Sequence, residues 1–211
     1  LPTRPFLLLV TTLPRLAQPG EHQADHISAS AIAMAVCLQA FVDDKVIFVT
    51  SPFTRAKETA ITCIASIEYL LNNIGQGVAY DLESEWLTLQ YSDHLRERYF
   101  GEFDQLPLIF YNKVWPRDLI NAQNDKYGVE SVQQVCDRLA HVIIEMEDKY
   151  DGKSIVLTSH ADTLQILHTL MSKEDPRYFC QHRFQHCEAR RFIDEALINK
   201  CTAFNYEVVN A

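Results

Sequence analysis

The sequence predicts an α/β fold of three layers, with helices on both faces of a mostly parallel sheet. Three short apolar runs, at residues 6–10, 46–49 and 155–157, have the continuous hydrophobicity of strands that are buried on both faces. Longer stretches between them repeat apolar residues every three or four positions, which is the period of an amphipathic helix. This alternation favours parallel strands joined by helical crossovers, so we expect ligands at the carboxyl ends of the strands.

The individual elements follow from local signals. The predicted strands are the three apolar runs and two strand-like stretches near the end, at 187–192 and 203–209. The predicted helices are, in chain order, 28–40 with Ser28 as N-cap, 54–71, 130–149, and a helix capped by Asp162. Ser and Asp are suited to such caps because their side chains accept a hydrogen bond from a backbone N–H of the first turn.

The 211 residues are predicted to form one domain, 1–211, because a domain typically has about 150 residues. A hydrophobic share of 47% supports a core, which excludes a disordered chain and a small disulfide-stapled scaffold. Residues 81–126 are less regular and rich in aromatic and charged side chains. We interpret them as an excursion of loops and helices that covers the ligand pocket, and their aromatic residues are a candidate surface for a protein partner.

The charge balance of 19 Lys and Arg against 28 Asp and Glu gives a net charge of −9. Nucleic acids and anionic membranes need clustered basic side chains, so we expect neither as a partner. No apolar run approaches the ~20 residues that span a bilayer. The six cysteines are scattered, without Cys-x-x-Cys pairs, which favours buried thiols and an intracellular, cytoplasmic protein.

A motif with phosphate-binding potential follows the second predicted strand directly. It reads Ser-Pro-Phe-Thr-Arg-Ala-Lys-Glu-Thr-Ala, from Ser51 to Ala60, and places Arg55 in the first turn of a helix. A guanidinium at that place can hold a phosphate through two hydrogen bonds, assisted by the helix N-terminus. On this motif alone, a surface arginine beside a helix start is the alternative.

Two further segments carry side chains suited to phosphate chemistry. His160 follows the third predicted strand, where an imidazole would face an anion bound at the strand ends. Glu97 lies between Arg96 and Arg98, and a carboxyl group so placed can serve as a general acid. The alternatives are a hydrogen-bonded core histidine and a solvated cluster of salt bridges.

Together these segments resemble the histidine phosphatase superfamily, also called phosphoglycerate mutase-like, in its branch of broad-specificity phosphatases and fructose-2,6-bisphosphatase-like enzymes. The family's Ser-Pro-x-x-Arg-Ala-x-x-Thr-Ala motif matches 51–60, and its helix opener resembles 25–28. Its other motifs match at Leu95, Glu97, Arg98 and Gly101, at Gly128, Glu130 and Ser131, and at Ser159 and His160, with Ala161 in place of a glycine. The resemblance implies a parallel-rich sheet with one antiparallel edge strand.

The chain departs from the family at the end of the first predicted strand. The family has Arg-His-Gly there; its histidine is the nucleophile that becomes phosphohistidine, and its arginine holds the phosphoryl oxygens. Aligned without gaps, Thr11 takes the place of the arginine, Thr12 that of the histidine and Leu13 that of the glycine. Residues 16–18, Leu-Ala-Gln, resemble the family's downstream Leu-Ala-Asn and support this register.

A threonine is a poor replacement for that nucleophile, because its hydroxyl must first lose a proton and a phosphothreonine would be a stable ester. Loss of a nucleophile costs on the order of 10⁶ in turnover in well-studied hydrolases. The sequence therefore favours a pseudophosphatase with a residual phosphate pocket and a regulatory or interaction role. The alternative is an active phosphomonoesterase acting through His160, or through His22 or His26 if their loop folds back into the pocket.

The resemblance implies the roles of the site residues. His160 and Glu97 are the candidate catalytic residues, with Thr12 at the position of the missing nucleophile, and the phosphate-binding candidates are Arg55, His160, Thr11 and Thr12. The expected ligand is a small phosphorylated molecule, such as a sugar phosphate or a phosphoglycerate-like acid. No cofactor and no metal are expected, because family members need none.

A zinc site is an alternative interpretation of residues 180–187, where the spacing Cys-x-His-x-x-x-His-Cys can put two imidazoles on one helix face. We do not favour it, because the residues that follow, 188–192, have the pattern of a strand.

Overall fold

The strands lie in one sheet in the computed structural model, which describes residues 7–12, 46–74, 87–150, 153–185 and 188–192. They are β1 Leu7–Thr11, β2 Val46–Thr50, β3 Leu87–Tyr91, β4 Ser154–Ser159 and β5 Ala189–Phe192. Their order in the sheet is β3-β2-β4-β1-β5. The pairs of β2 with β3 and β4, and of β1 with β4, are parallel, whereas β5 runs antiparallel to β1 at the edge. The expected parallel-rich sheet with one antiparallel edge strand is confirmed.

Helices connect and flank the strands. The α-helices of the described residues are α1 Thr54–Ile74, α2 Trp115–Asp118, α3 Val132–Lys149 and α4 Ala161–Met171. Short 3₁₀ helices are formed by Asp93–Leu95, Gly101–Phe103, Leu108–Lys113, Lys126–Gly128 and Pro176–Gln181.

The core lies on both faces of the central strands. Ile47 and Leu157 point to the face where they join one apolar cluster with residues of α3 and α4. Phe48 and Val156, their neighbours along the strands, are completely buried and point to the opposite face because side chains alternate along a strand. On that basis both faces of the sheet are covered, and α1 packs against β2 and β4. The predicted α/β fold is confirmed.

Three local predictions were wrong. Part of the predicted excursion, Leu87–Tyr91, is strand β3, which extends the sheet beside β2. Helix α3 begins after Ser131, whose hydroxyl oxygen accepts a hydrogen bond from the backbone N–H of Gln134, while the Gln134 side chain accepts from the Ser131 N–H. Asp162 does not cap α4, because the N-cap is His160 and the Asp162 carboxylate accepts a hydrogen bond from Trp115 instead.

Several predicted elements lie outside the described residues, namely the helix at 28–40, its opener at 25–28, and the strand at 203–209. The single-domain organisation of 1–211 and the covering of the pocket by 81–126 stay predictions. Cys136 and Cys180 are free thiols and Cys63 is buried, whereas Cys37, Cys187 and Cys201 fall outside the described part of the chain. None of the helices described is both long and apolar enough to cross a bilayer.

Candidate functional site

The carboxyl ends of β1, β2 and β4 meet at one edge of the sheet. The register pairs Thr11 with Ser159, and Thr50 with Thr158. Hydrogen bonds continue one residue beyond the strands, from the Thr12 N–H to the Ser159 carbonyl (3.0 Å) and from the Ser51 N–H to the Thr158 carbonyl (2.9 Å). Thr12, Ser51 and His160 therefore leave adjacent strands side by side, as expected for a ligand site in this class of fold.

His160 is completely buried, and both of its ring nitrogens are hydrogen-bonded. Arg55 Nε donates to His160 Nδ1 at 3.1 Å, and His160 Nε2 lies 2.8 Å from Ser51 Oγ. A guanidinium has no lone pair to accept a bond, so Nδ1 must carry the lone pair. The imidazole is thereby assigned as neutral with its proton on Nε2, which donates to Ser51.

The electrostatic surroundings agree with a neutral imidazole. The pKa of His160 is lowered to about 3, mainly by burial and in part by the positive charges of Arg55 and Arg138. Among the described residues, the carboxylate that approaches the ring is that of Glu97, whose Oε2 lies 3.9 Å from Nδ1. Desolvation outweighs this attraction, so His160 is uncharged across the physiological pH range.

Glu97 completes the cluster. Its Oε2 lies 3.6 Å from Nη2 of Arg55, while its Oε1 accepts hydrogen bonds from the backbone N–H of Arg98 (3.1 Å) and from the Thr163 hydroxyl (3.4 Å). About a quarter of the Glu97 side chain is exposed (24%). Arg55, Glu97 and His160, the three candidates from separate segments of the sequence, are thus brought together.

The pKa of Glu97 is raised to about 7. Burial is the main cause and the negative charge of Asp162 adds to it, whereas Arg55, the Arg98 N–H and Arg138 act against it. Burial also raises the pKa of Asp162. Glu97 therefore holds a proton for a substantial fraction of the time at neutral pH, which is the property required of a general acid.

The two arginines beside Glu97 in the sequence do not neutralise it. Arg98 makes a bidentate pair with Asp118, at 2.7 and 3.0 Å, and both side chains are completely buried. Arg96 pairs with Glu130 at 2.6 Å. Each arginine anchors the backbone on one side of Glu97 to a carboxylate elsewhere, so the side chain between them is fixed in place.

Glu130 connects several of the residues that hold the Glu97 backbone in place. Besides Arg96, it accepts hydrogen bonds from Arg138 Nε (2.8 Å) and from the Tyr99 N–H (3.2 Å). Arg138 also donates to the His94 carbonyl, which ties α3 to the loop that carries Glu97. Glu130 therefore acts on the site indirectly, through the backbone it holds.

The two threonines at the end of β1 are both buried but differ in their partners. The Thr11 hydroxyl donates to the Gln185 carbonyl and accepts from the Glu188 N–H at 3.0 Å, so it binds the segment that leads into β5. The Thr12 hydroxyl makes no hydrogen bond to another described residue, and its backbone N–H bonds to Ser159. Leu13, His22 and His26 lie outside the described residues.

Three residues of the site were not singled out from the sequence for the parts they play. Ser51 was noted only as the start of a motif, yet its hydroxyl contacts His160. Asp162 and Arg138 act through their charges on Glu97 and His160. The proximity of Asp162 to His160 in the sequence was a usable signal, whereas nothing in the spacing of Arg138 indicated that α3 faces the pocket.

The proposed zinc ligands are only partly described. His182 Nε2 lies 2.6 Å from Glu174, and its ring stacks on that of His168 with 4.0 Å between centroids. His186 and Cys187 fall outside the described residues, and no metal-ligating cluster of three or more side chains occurs within them.

Comparison with known proteins places this site in a family. The family model of the histidine phosphatase superfamily (branch 1) matches residues 75–193, which is more than half of the chain. The chain belongs to the histidine phosphatase superfamily. The matched range includes Glu97 and His160, together with the supporting Glu130 and Arg98.

Individual members of the superfamily are distant relatives. The chain is 25% identical over 132 residues to the uncharacterized phosphatase PhoE of Bacillus subtilis, a match that covers 62% of this chain and 55% of PhoE. The aligned stretch therefore spans little more than half of that relative.

Several solved structures share the fold of this chain. A mycobacterial glucosyl-3-phosphoglycerate phosphatase in complex with VO₃ superposes with a TM-score of 0.65 at 15% identity, covering 90% of each chain. YhfR of Bacillus stearothermophilus has a TM-score of 0.57 at 16% identity, covering 90% of this chain and 92% of its own. At these identities the likeness concerns the fold.

Proposed function

We propose that this chain is a histidine phosphatase-fold protein that has lost the phosphohistidine nucleophile and retains an oxyanion pocket, with a regulatory or interaction role in place of catalysis. The observation that carries the proposal is the pair Thr11 and Thr12 at the end of β1. The register of β1 with β4 puts Thr12 beside Ser159 and His160, where the family's nucleophile is expected to lie. Neither threonine offers an unprotonated nitrogen for in-line attack on phosphorus.

The partners of Thr11 support the loss of the second anchor. Its hydroxyl is engaged with Gln185 and Glu188, away from a role in clamping a phosphoryl group. The position implied for an arginine therefore serves to attach the segment before β5. Removing that arginine removes charge-assisted donors that would otherwise stabilise the transition state.

The remaining cluster supports continued binding of an oxyanion. Arg55 offers guanidinium N–H groups at the strand ends, and about a quarter of its side chain is exposed (25%). A tetrahedral oxyanion of a small phosphorylated molecule is the matching ligand, because a planar guanidinium can donate two parallel bonds to it. Sugar phosphates and phosphoglycerate-like acids are the ligand classes we propose.

An active phosphomonoesterase is the second candidate function. Glu97, with a pKa of about 7, is suited to protonate a leaving group, and PhoE carries the name phosphatase. His160 is a weaker candidate for its nucleophile, because the one unprotonated nitrogen of the ring, Nδ1, is occupied by Arg55 Nε. The glucosyl-3-phosphoglycerate phosphatase among the structural relatives suggests phosphorylated sugar acids as the first substrates to try.

Turnover of an aryl phosphate separates the two candidates. We expect p-nitrophenyl phosphate to be hydrolysed at the background rate by both the unmodified protein and His160→Ala. Robust turnover by the unmodified protein that disappears in His160→Ala would overturn the loss of catalysis. Mass spectrometry of the intact protein after mixing with substrate should reveal no phosphohistidine, and a trapped phosphohistidine would support the phosphomonoesterase.

Restoring the missing side chains tests the cause. Thr12→His supplies the nucleophile, and Thr11→Arg with Thr12→His supplies both anchors. We expect the double variant to gain measurable aryl phosphatase activity over the unmodified protein, and Thr12→Gln to gain none. Because Thr11 binds the segment before β5, circular dichroism and thermal unfolding must show that the double variant is folded.

A further inference from the structure

The side chains of Arg55 and His160 are hydrogen-bonded to each other in this structure. Arg55 Nε donates to His160 Nδ1 at 3.1 Å, and this bond exists only while the imidazole is neutral, because a protonated Nδ1 is itself a donor. On the other side of the ring, Nε2 is satisfied by Ser51 at 2.8 Å. The Arg55 guanidinium and the His160 imidazole therefore both form hydrogen bonds within the protein at the strand ends.

An oxyanion that is to be gripped by both side chains must change this arrangement. An oxyanion accepts hydrogen bonds, so His160 must present an N–H to it, and Arg55 must point its N–H groups away from the ring. Both conditions are met when His160 takes up a proton at Nδ1, because the new N–H repels the guanidinium and donates to the anion. The negative charge of the ligand then offsets the desolvation of the imidazolium.

We propose that the Arg55–His160 hydrogen bond is a proton-operated latch on the pocket, which opens when His160 takes up one proton together with the bound oxyanion. The inference rests on the oxyanion pocket of the proposed function and adds its regulation by pH. The proton comes from solvent and is released again when the anion leaves.

Charged groups act on His160 from three described elements. Arg55 comes from α1, Arg138 from α3, and Glu97 from the loop that follows the 3₁₀ helix Asp93–Leu95. The two arginines disfavour the imidazolium, which agrees with a pKa of about 3 in the free protein. A bound anion reverses the sign of the local potential, so the pKa of His160 rises in the complex.

Linkage gives the size of the effect. Where His160 is neutral in the free protein and protonated in the complex, one proton is taken up per anion, and the Kd rises tenfold for each unit of pH. Glu97 contributes a similar uptake near pH 7, since a nearby anion also favours its protonated form. The variant Glu97→Gln removes this second acceptor.

Sulfate is the probe, because it is a tetrahedral oxyanion that does not titrate between pH 5 and 8. Its binding is measured by isothermal titration calorimetry on the full chain, in buffers of different ionisation enthalpy. In Glu97→Gln we expect about one proton taken up per sulfate and a tenfold rise in Kd per pH unit between pH 5 and 7. Long-range ¹H–¹⁵N NMR of histidine-labelled protein should show His160 neutral without sulfate and doubly protonated with it.

Two further variants serve as controls. In the Glu97→Gln background, His160→Gln keeps a neutral hydrogen-bonding side chain that cannot take up a proton, so the proton uptake should vanish and sulfate binding should lose its pH dependence. His141→Gln replaces an exposed histidine of α3 that bonds to the Asp137 carbonyl, and it should leave both quantities unchanged.

The outcomes distinguish the latch from the pocket itself. Sulfate binding without proton uptake in Glu97→Gln, or with His160 still neutral in the NMR spectrum, overturns the latch and leaves the oxyanion pocket standing. Absence of sulfate binding at every pH overturns both. The loss of catalysis is judged separately, by the aryl phosphate assay.

Discussion

At the scale of single residues, Glu97 shows that the charged neighbours of a side chain in the sequence need not control its ionisation. Arg96 and Arg98 flank it, but their charges are matched by Glu130 and Asp118. The carboxyl group is left with the positive charges of Arg55 and Arg138 and with the negative charge of Asp162. Burial then decides the balance, and the protonated form is favoured.

This raised pKa has a consequence for stability. The pKa of Glu97 is about 7 in the folded protein against an ordinary value of 4.5, so ionisation of Glu97 destabilises the fold as pH rises from 4.5 through 7. We expect Glu97→Gln to remove this loss and to be more stable than the unmodified protein by about 2 kcal/mol at pH 8, with a smaller gain or a loss at pH 4.

Urea unfolding at a series of pH values measures the effect. The difference in free energy of unfolding between Glu97→Gln and the unmodified protein should grow steadily between pH 5 and 8. If the free energies of unfolding of the two proteins changed with pH in parallel, Glu97 would titrate near its ordinary pKa, and burial would not raise that pKa.

At the scale of elements, a buried ion pair joins the Glu97 loop to α2. Arg98 and Asp118 are both fully buried, and the guanidinium lies within 5.4 Å of the Phe100 ring centroid and 5.9 Å of that of Phe179. Asp118 also accepts a hydrogen bond from Asn124. The pair therefore fixes the segment between β3 and α3 to the site.

We expect Asp118→Asn to destabilise the protein by about 3–5 kcal/mol, because it leaves the Arg98 charge buried without its partner. Thermal and urea unfolding measure the loss. Asp175→Asn is the matched control, since it breaks the Asp175–Arg177 pair at the surface, and its effect should be small. A double variant, Arg98→Met with Asp118→Leu, should recover part of the stability, and equal losses for Asp118→Asn and Asp175→Asn would contradict the role of the pair.

The sequence predicted those elements whose burial is uniform and missed those whose environment changes along the chain. Strands β2 and β4 are buried along their whole length, so continuous apolar runs indicated them. Strand β3 lies at the edge of the sheet and is partly exposed, so its alternating Leu-Thr-Leu-Gln-Tyr was overlooked. The cap of α4 was misplaced because the helix follows His160 directly, so Asp162 lies in its first turn and its carboxylate accepts a hydrogen bond from Trp115.

The site was predictable to the extent that strand ends define it. Arg55 and His160 each follow a strand directly, and parallel strands bring their carboxyl ends together. The hydrogen bond between Arg55 and His160 was not predictable. Whether these side chains bind a ligand or each other depends on distances of a few ångströms, which the sequence does not give. The involvement of Ser51 in holding the imidazole belongs to the same class of detail.

At the scale of the whole molecule, the order of the strands determines which part of the chain is most strongly held. Strand β4 is paired on both sides, by β1 and β2, whereas β3 and β5 lie at the edges. Strands β2 and β4 also contribute the completely buried Phe48 and Leu157. The centre of the sheet is therefore the region that opens only when the whole fold does.

Hydrogen exchange provides the measurement. The amides of β2 and β4 should exchange most slowly of the described strands, at rates set by global unfolding, and the outward-facing amides of β3 should exchange much faster. Protection of β3 equal to that of β4 would show that another part of the chain, or a second molecule, covers that edge.

The bond from the Thr12 amide to the Ser159 carbonyl has an implication for how this protein can diverge. Every amino acid except proline supplies the same backbone N–H, so this hydrogen bond does not depend on which side chain stands at position 12. The side chain at position 12 can therefore be exchanged while the pairing of β1 with β4 persists.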